Sequence, residues 1–430
     1  MSIASNHDNA PRPLVSDSGA RATVGLEYMT YEDLEDFGKQ LDEIRQRMLD
    51  SLGQEDADYI RGIVKAQSTL ETVGRALMFL PFIPPAWLAG VAALSVSKIL
   101  DNMEIGHNVM HGQYDWMNDP QLNSKMYEWD NVSPSANWQY THNYIHHTYT
   151  NIRGLDRDIG YGLLRIDPDQ KWHPAYLGNP LYAVVLMFVF QWGVLVHDLE
   201  LDRLQTGEAT WAEVKERNSG TLRKVRRQLL KDYVLFPALT GPFFASTMAG
   251  NATANVARNV WAFAIIFCGH FPADVESFSE ESAENESRGQ WYLRQLLGSA
   301  NITGSKLFHI MSGNLSYQIE HHLFPDLPSN RYKDIAVTVR QLADKYDLPY
   351  TTGPLAVQYA KSWRTIAKLS LPNKYLKDTV DNAPETASER MFDGELTSTL
   401  DPVTGRRSGL KSAIARKRKS GKLRSLLGLR

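Results

Sequence analysis

Apolar residues gather in four stretches along the 430-residue chain, at 76–100, 181–196, 233–250 and 253–269, with long polar segments between them. Residues 1–29 are polar, rich in Ser, Asn, Asp and Pro, lack the apolar core of a secretory signal, and read as a disordered N-terminus. Over 30–75 apolar positions return at helical spacing. Leu34, Phe37, Leu41 and Ile44 share one face, and Thr30 with Asp33 is placed as a capping box, so two amphipathic cytosolic helices are expected there. Segment 76–100 carries no charge before Lys98 but contains Pro81, Pro84 and Pro85, which predicts a tight hairpin of two spans or one broken helix. Segments 233–250 and 253–269, divided by the polar Asn251, predict a second hairpin. Segment 181–196 is short and interrupted by Gln191. The loop after it holds Arg203, Lys215, Arg217, Arg223, Lys224, Arg226, Arg227 and Lys231, a density that belongs on the cytoplasmic side. That places 181–196 along the interface or within a cap rather than across the bilayer. The pattern predicts four spans in two hairpins, everything else cytoplasmic.

Composition narrows the chemistry. The chain is 43% apolar and 22% charged, with a net charge of −3, which excludes disordered and collagen-like classes. Cys268 is the single cysteine, so internal disulfides and four-thiolate iron–sulfur clusters are impossible, and any metal must be held by nitrogen or oxygen. Residues 405–430 contain ten Lys or Arg and no acid, so residues 1–404 carry −13, the total of −3 less the +10 of the tail. Such a tail suits anionic lipid headgroups. It has no aromatic for stacking and no nucleic-acid module beside it, so nucleic acid is not an expected partner.

Of twelve histidines, seven sit in three clusters, and His270 closes the last apolar segment. His107 and His111 lie in HNVMH, His142, His146 and His147 in HNYIHH, and His321 and His322 in QIEHH. Residues four apart on a helix share a face and can grip one ion, whereas adjacent residues point about 100° apart and reach two ions side by side. Imidazole suits Zn, Cu, Fe and Ni. A single zinc needs three or four protein ligands, so this many nitrogens fit two ions. The carboxylate type of diiron site needs Glu-x-x-His from two helices, and this chain has one, Glu104 with His107. A nitrogen-rich pair of irons at a membrane surface is what remains. His7, His173 and His197 read as ordinary polar residues, and His309 stays open.

The three clusters, in this order and with apolar hairpins before the first and the third, resemble the histidine boxes of the membrane fatty acid desaturases. The strings NMEIGHNVMHGQYDWMNDP, NVWAFAIIFCGHFP and GQWYLRQLLGSAN are similar to the actinobacterial, mycobacterial-type stearoyl-CoA Δ9-desaturases, and the likeness covers roughly residues 30–410. The resemblance implies an all-α integral membrane protein with four transmembrane helices and a cytosolic helical cap. Residues 76–370 would form that domain and cap, and 371–430 a C-terminal extension. It implies two iron ions on His107, His111, His142, His146, His147, His270, His321 and His322. It also implies O2-dependent desaturation of a fatty acyl-CoA, with O2 reduced to water, on the cytoplasmic face of the cell membrane. Gln318 stands where animal acyl-CoA Δ9-desaturases have His, and is expected to bind iron weakly or to orient a neighbour, with Asn314 one turn before it serving alike. Asp156 and Asp158 are expected to hydrogen-bond ligating histidines.

An acyl chain has no handle but its head group, so selectivity requires a narrow apolar tunnel. Trp116, Trp129 and Trp138 are candidate tunnel aromatics, and the 223–231 cluster is a candidate for CoA phosphates. The chain has no haem, cluster or dinucleotide signature, which implies a separate NAD(P)H-dependent reductase or a ferredoxin-type donor. Two other readings keep the metal: an acyl-chain or alkane hydroxylase with the same centre, and a membrane metal-binding or transport protein. Transport would place ligands along the spans, and here most fall outside them.

Overall fold

The structure, a computed structural model, describes residues 22–26, 28–272 and 275–375, with two short strands at 399–400 and 407–408. Most of the expected disordered N-terminus and most of the C-terminal extension, including all of the basic tail but residues 407–408, lie outside the described residues.

Helix α1 (Tyr31–Asp50) opens on the capping box, Thr30 accepting the Asp33 N–H while Asp33 reaches back to the Thr30 N–H. Its apolar stripe, Leu34, Phe37, Leu41 and Ile44, is buried in a cap core. That core also takes Leu293 and Leu296 of α9 (Arg288–Leu297), Ile319 and Leu323 of α10 (Gln318–Leu323) and Val339 of α11 (Tyr332–Lys345). Helices α1 and α9 cross at Gly38 and Gly289, where a Cβ on Gly289 would lie 1.8 Å from the Leu34 carbonyl oxygen. Part of the N-terminal segment read as disordered belongs here. Ala22, Val24, Tyr28 and Met29 are buried in the same core, and the Thr23 and Val24 N–H groups donate to the Ser282 carbonyl. A parallel pair, β1 (Asn301–Thr303) with β2 (Thr352–Pro354), braces α10. Asn301 Oδ1 accepts the Ile319 N–H at 2.9 Å and its Nδ2 donates to Glu320 at 2.8 Å.

The hairpins differ from the sequence reading. The first is made by α2 (Gln54–Leu77) and α3 (Pro84–Leu100), so its first arm is the helix expected to be cytosolic. Pro81 falls in the turn and Pro84 and Pro85 at the first two positions of α3, where the missing N–H costs nothing. In the second, α7 (Thr221–Leu230) continues through helical residues 231–239, turns at 240–243 and returns as α8 (Phe244–His270). Asn251 is not the break. It lies within α8 and donates to the Asp232 carbonyl at 2.6 Å.

Among the described residues no single helix is long and apolar enough to cross a membrane by composition, so four straight spans are not what the fold shows. One bent pair passes together, Pro174–Phe188 with Phe190–Leu204, angled by 98°. It holds α5 (Asn179–Phe188) and α6 (Phe190–Asp198), the segment expected along the interface. The hairpins also carry buried ions. Lys98 of α3 is 2% exposed, with Nζ 2.9 Å from both Asp130 and Asp232, and Arg258 of α8 is 1% exposed. Their outer surfaces are nonetheless apolar. Phe82, Leu88 and Leu239 of the hairpins, and Leu181 and Val185 of the neighbouring bent pair, are large apolar side chains left exposed.

Candidate metal centre

The first two boxes are built on widened helical turns. Below Leu100, α3 continues as a π-helical turn over Asp101–His107 and a last α-turn to Met110. Helix α4 (Ser135–Trp138) runs into a π-helical Gln139–His146. Turns of this kind are rare and recur at functional sites. The third box lies on α10, and His270 ends α8.

These elements bring the eight predicted histidines together. His107, His111, His142 and His321 offer ligand nitrogens all within 4.8 Å of one another, and so do His146, His270 and His322. His147 joins His321 and His322 in a third such group. The His321–His322 doublet divides between the two nests, and His147 bridges them, grouped with His321 of the first and His322 of the second. The ring planes of His146 and His147 are 75° apart and those of His321 and His322 81° apart, so neighbours in sequence face different points.

One nitrogen of each of several rings is fixed from behind. His146 Nδ1 is 3.0 Å from Asp156 Oδ1, His142 Nδ1 3.4 Å from Asp158 Oδ2, and His107 Nδ1 2.9 Å from Asn108 Oδ1. His321 Nδ1 meets the Tyr332 hydroxyl at 3.2 Å and His322 Nδ1 the Gln295 Oε1 at 3.1 Å. The opposite nitrogens turn inward. Nε2 of His111, His142, His146, His147 and His321 is buried with no hydrogen-bond partner. Unmet polar atoms in such number are costly to bury, and inward Nε2 atoms, with Nδ1 tied down on His142, His146 and His321, are what imidazole ligation requires. The residues present therefore fit a pair of metal ions.

Protonation agrees. Burial, reinforced by neighbouring imidazoles, pushes His107 down to about 3 and holds His111, His147, His321 and His322 well below the ordinary value, leaving the neutral rings that metals bind. His146 goes the other way. Burial disfavours its charge, but the Asp156 and Asp158 carboxylates outweigh that and raise it to about 8, marking it as the most basic donor.

Gln318 faces the centre, with Nε2 2.9 Å from His270 Nε2 and Oε1 free of partners. Asn314 does not serve a histidine. It takes a left-handed φ of 52° and donates to the Glu104 carboxylate at 3.0 and 3.1 Å. Trp138 stacks on His142 at 4.3 Å and packs against Trp129 at 5.4 Å. Both line a cavity that opens from His107, His142, His270 and Gln318. Trp116 is absent from that lining. It lies 37% exposed, its Nε1 donating to the Gln113 carbonyl, because the chain turns outward after His111. In the basic cluster, Lys224 is engaged by Glu128 and Lys231 by Asp130, while Arg223, Arg226 and Arg227 are exposed.

One participant was set aside in the sequence. His197 is half-buried with Nε2 2.9 Å from Asp158 Oδ1, so Asp158 stands between it and the ligand candidates His142 and His146. A lone histidine fifty residues from the nearest box carries no spacing signal. His309 lies outside the centre, with Nδ1 2.7 Å from Ser316.

The fatty acid desaturase family model matches residues 84–354. The chain is 51% identical over 394 residues to the NADPH-dependent stearoyl-CoA 9-desaturase of Mycobacterium tuberculosis (strain ATCC 25618 / H37Rv), across 90% of this chain and 92% of that one. It is 24% identical over 285 residues to the sn-1 linoleoyl-lipid 6-desaturase of Synechocystis sp., across 65% and 79% of the two chains. To the acyl-lipid (8-3)-desaturase of Mortierella alpina it is 23% identical over 291 residues, across 64% of each.

Proposed function

The chain belongs to the fatty acid desaturase family, and we propose that it converts stearoyl-CoA to oleoyl-CoA at a pair of iron ions, with electrons from a separate NADPH-dependent reductase. The observation that carries this reading is the convergence of eight imidazoles, seven in two adjoining nests and His147 bridging them, at the head of a cavity. The ligands would be His107, His111, His142, His146, His147, His270, His321 and His322, with Gln318 reaching the same space. When bound, the irons supply the oxidising power that no side chain has for an unactivated CH2–CH2 unit.

The protein's own residues do the rest. Asp156, Asp158, Asn108, Tyr332 and Gln295 hold the rings at fixed angles. Trp138 covers His142 and keeps water from that side of the centre. Met103, Phe190, Val194, Ala262, Ile266 and Leu315 give the cavity an apolar wall suited to an alkyl chain. Helices α3, α7–α8 and the bent α5–α6 pair, with their exposed apolar surfaces, would seat the molecule in the cell membrane with the cap on the cytoplasmic side, and Arg223, Arg226 and Arg227 would face headgroup or CoA phosphates there.

The test is turnover. The purified full chain, loaded with iron and given stearoyl-CoA, O2, NADPH and a reductase, should yield a product lighter by two hydrogens. A product heavier by one oxygen would make it a hydroxylase. Alanine at His111, His146 or His322 should abolish activity and leave the protein in the membrane fraction, and full turnover in any one would remove that residue from the ligand set.

A further inference from the structure

Asp156 and Asp158 both stand behind candidate ligand rings, but they are held differently. The Asp156 carboxylate accepts the backbone N–H groups of Asn151 at 2.7 Å and Asp158 at 2.9 Å, so it is fixed before any ring meets it. Among the described residues the Asp158 carboxylate has no such backbone anchor. Its Oδ2 lies 3.4 Å from His142 Nδ1 and 3.7 Å from His146 Nδ1, and the remaining side chain at it is His197, with Nε2 2.9 Å from Oδ1. A carboxylate cannot orient two imidazoles unless something outside them holds it, because all three groups would otherwise turn together.

His197 has a fixed base. It lies one residue before the end of α6, its ring edge-on to Tyr161 at 5.5 Å. Two further contacts tie the same end of α6 to the second box. Asp198 is fully buried and accepts from Thr141 Oγ1 at 2.6 Å, and Thr141 directly precedes His142. Arg157, between the two aspartates, reaches Glu200 at 2.8 Å and Asp202 at 2.9 Å just beyond α6. The end of α6 therefore meets both the π-helical turn that carries His142 and His146 and the loop that backs them.

We infer that His197 is a positioning residue for the metal centre: through Asp158 it sets the angles of the His142 and His146 rings, and it makes α6, one arm of the bent pair, a support of the second box. The inference rests on the metal-centre reading above.

The two side-chain amides separate reach from polarity. Gln places its amide nitrogen where His carries Nε2, whereas that of Asn falls at the level of Nδ1, short of Asp158. The full chain in membranes is stripped of metal and titrated with Fe2+, and with Co2+ for its visible spectrum. Iron-loaded samples are assayed with stearoyl-CoA, reductase, NADPH and O2. His197→Asn should weaken iron binding by about 10–100-fold, change the Co2+ absorption bands, and lower kcat with KM for stearoyl-CoA unchanged. His197→Gln should return all three towards wild type. His197→Phe keeps a ring against Tyr161 without a donor, should behave as His197→Asn does, and takes its place if that variant is unstable. In Asp158→Ala, which removes the route, adding His197→Asn should weaken iron binding by no more than about a further twofold.

Unchanged iron affinity and Co2+ spectrum in His197→Asn and His197→Phe would overturn the inference. So would losses that multiply in the double variant, or a raised KM at unchanged iron affinity, which would make His197 a substrate contact. A wild-type chain that binds no metal would instead refute the proposed function itself.

Discussion

Asp156 is locked onto His146 from both sides of its carboxylate: Oδ1 lies 3.0 Å from His146 Nδ1 and accepts the Asp158 N–H at 2.9 Å, while Oδ2 accepts the Asn151 N–H at 2.7 Å. The carboxylate cannot swing away, and neither can the ring. Replacing it with an amide, Asp156→Asn, weakens the acceptor at Nδ1 and lets the ring turn. Iron affinity and turnover should each fall by about 10–100-fold, the usual effect of losing such a partner, as read from iron titration and steady-state rates. Unchanged affinity would mean that His146 is not a ligand.

Metal should also stabilise. Stripping iron leaves the buried Nε2 atoms of His111, His142, His146, His147 and His321 without partners, so the metal-free protein should melt at a lower temperature, and restored iron should raise both melting temperature and activity. Zinc should restore the melting temperature alone, since imidazoles accept it but it has no redox chemistry. Calorimetry with parallel activity assays separates the two.

Glu104, in the π-helical turn beyond α3, accepts from the Tyr59 hydroxyl at 2.7 Å, Ser329 Oγ at 2.7 Å and Asn314 Nδ2. Burial pushes its carboxyl from an ordinary 4.5 up to about 8, in spite of these donors. Between those two values the folded chain keeps a proton that the unfolded chain has released. The contribution is whole at pH below 4.5, declines as pH rises and is lost by about 8. Glu104→Gln cannot titrate, so its stability relative to wild type should improve as pH rises through that window, measured by thermal unfolding of the metal-free protein. Parallel curves would refute the shift.

At the crossing of α1 and α9, Gly289→Ala would drive a methyl into the Leu34 carbonyl, which is backbone and cannot step aside. The helices must separate, at a cost of about 1–3 kcal/mol. Denaturant unfolding in detergent should show that loss, with little change in the affinity for iron.

Much of the centre could be read from the chain because its residues obey local spacing. His107 with His111, and each HH doublet, declare their geometry within a single turn. The capping box of Thr30 and Asp33 and the stripe of α1 are local in the same way. What could not be read is what depends on distant chain. His197 reaches Asp158, and Tyr332 and Gln295 reach the third box, through folding alone. Hydropathy misplaced the first hairpin because its first arm, α2, is too polar to stand out and is paired with α3 only by packing. It treats Lys98 and Arg258 as expensive inside a span, while the fold pairs each with partners from other segments. Asn251 marks a break by polarity and turns out to tie two helices together.

The widened turns at Asp101–His107 and Gln139–His146 make two of the boxes sensitive to residue count rather than to residue identity. Excising one position from either would relax it to an ordinary helix, uninterrupted and locally content, yet every imidazole beyond the cut would be swung by about 100°. A chain shortened in this way could fold with its hydrophobic core undisturbed and hold nothing at its heart.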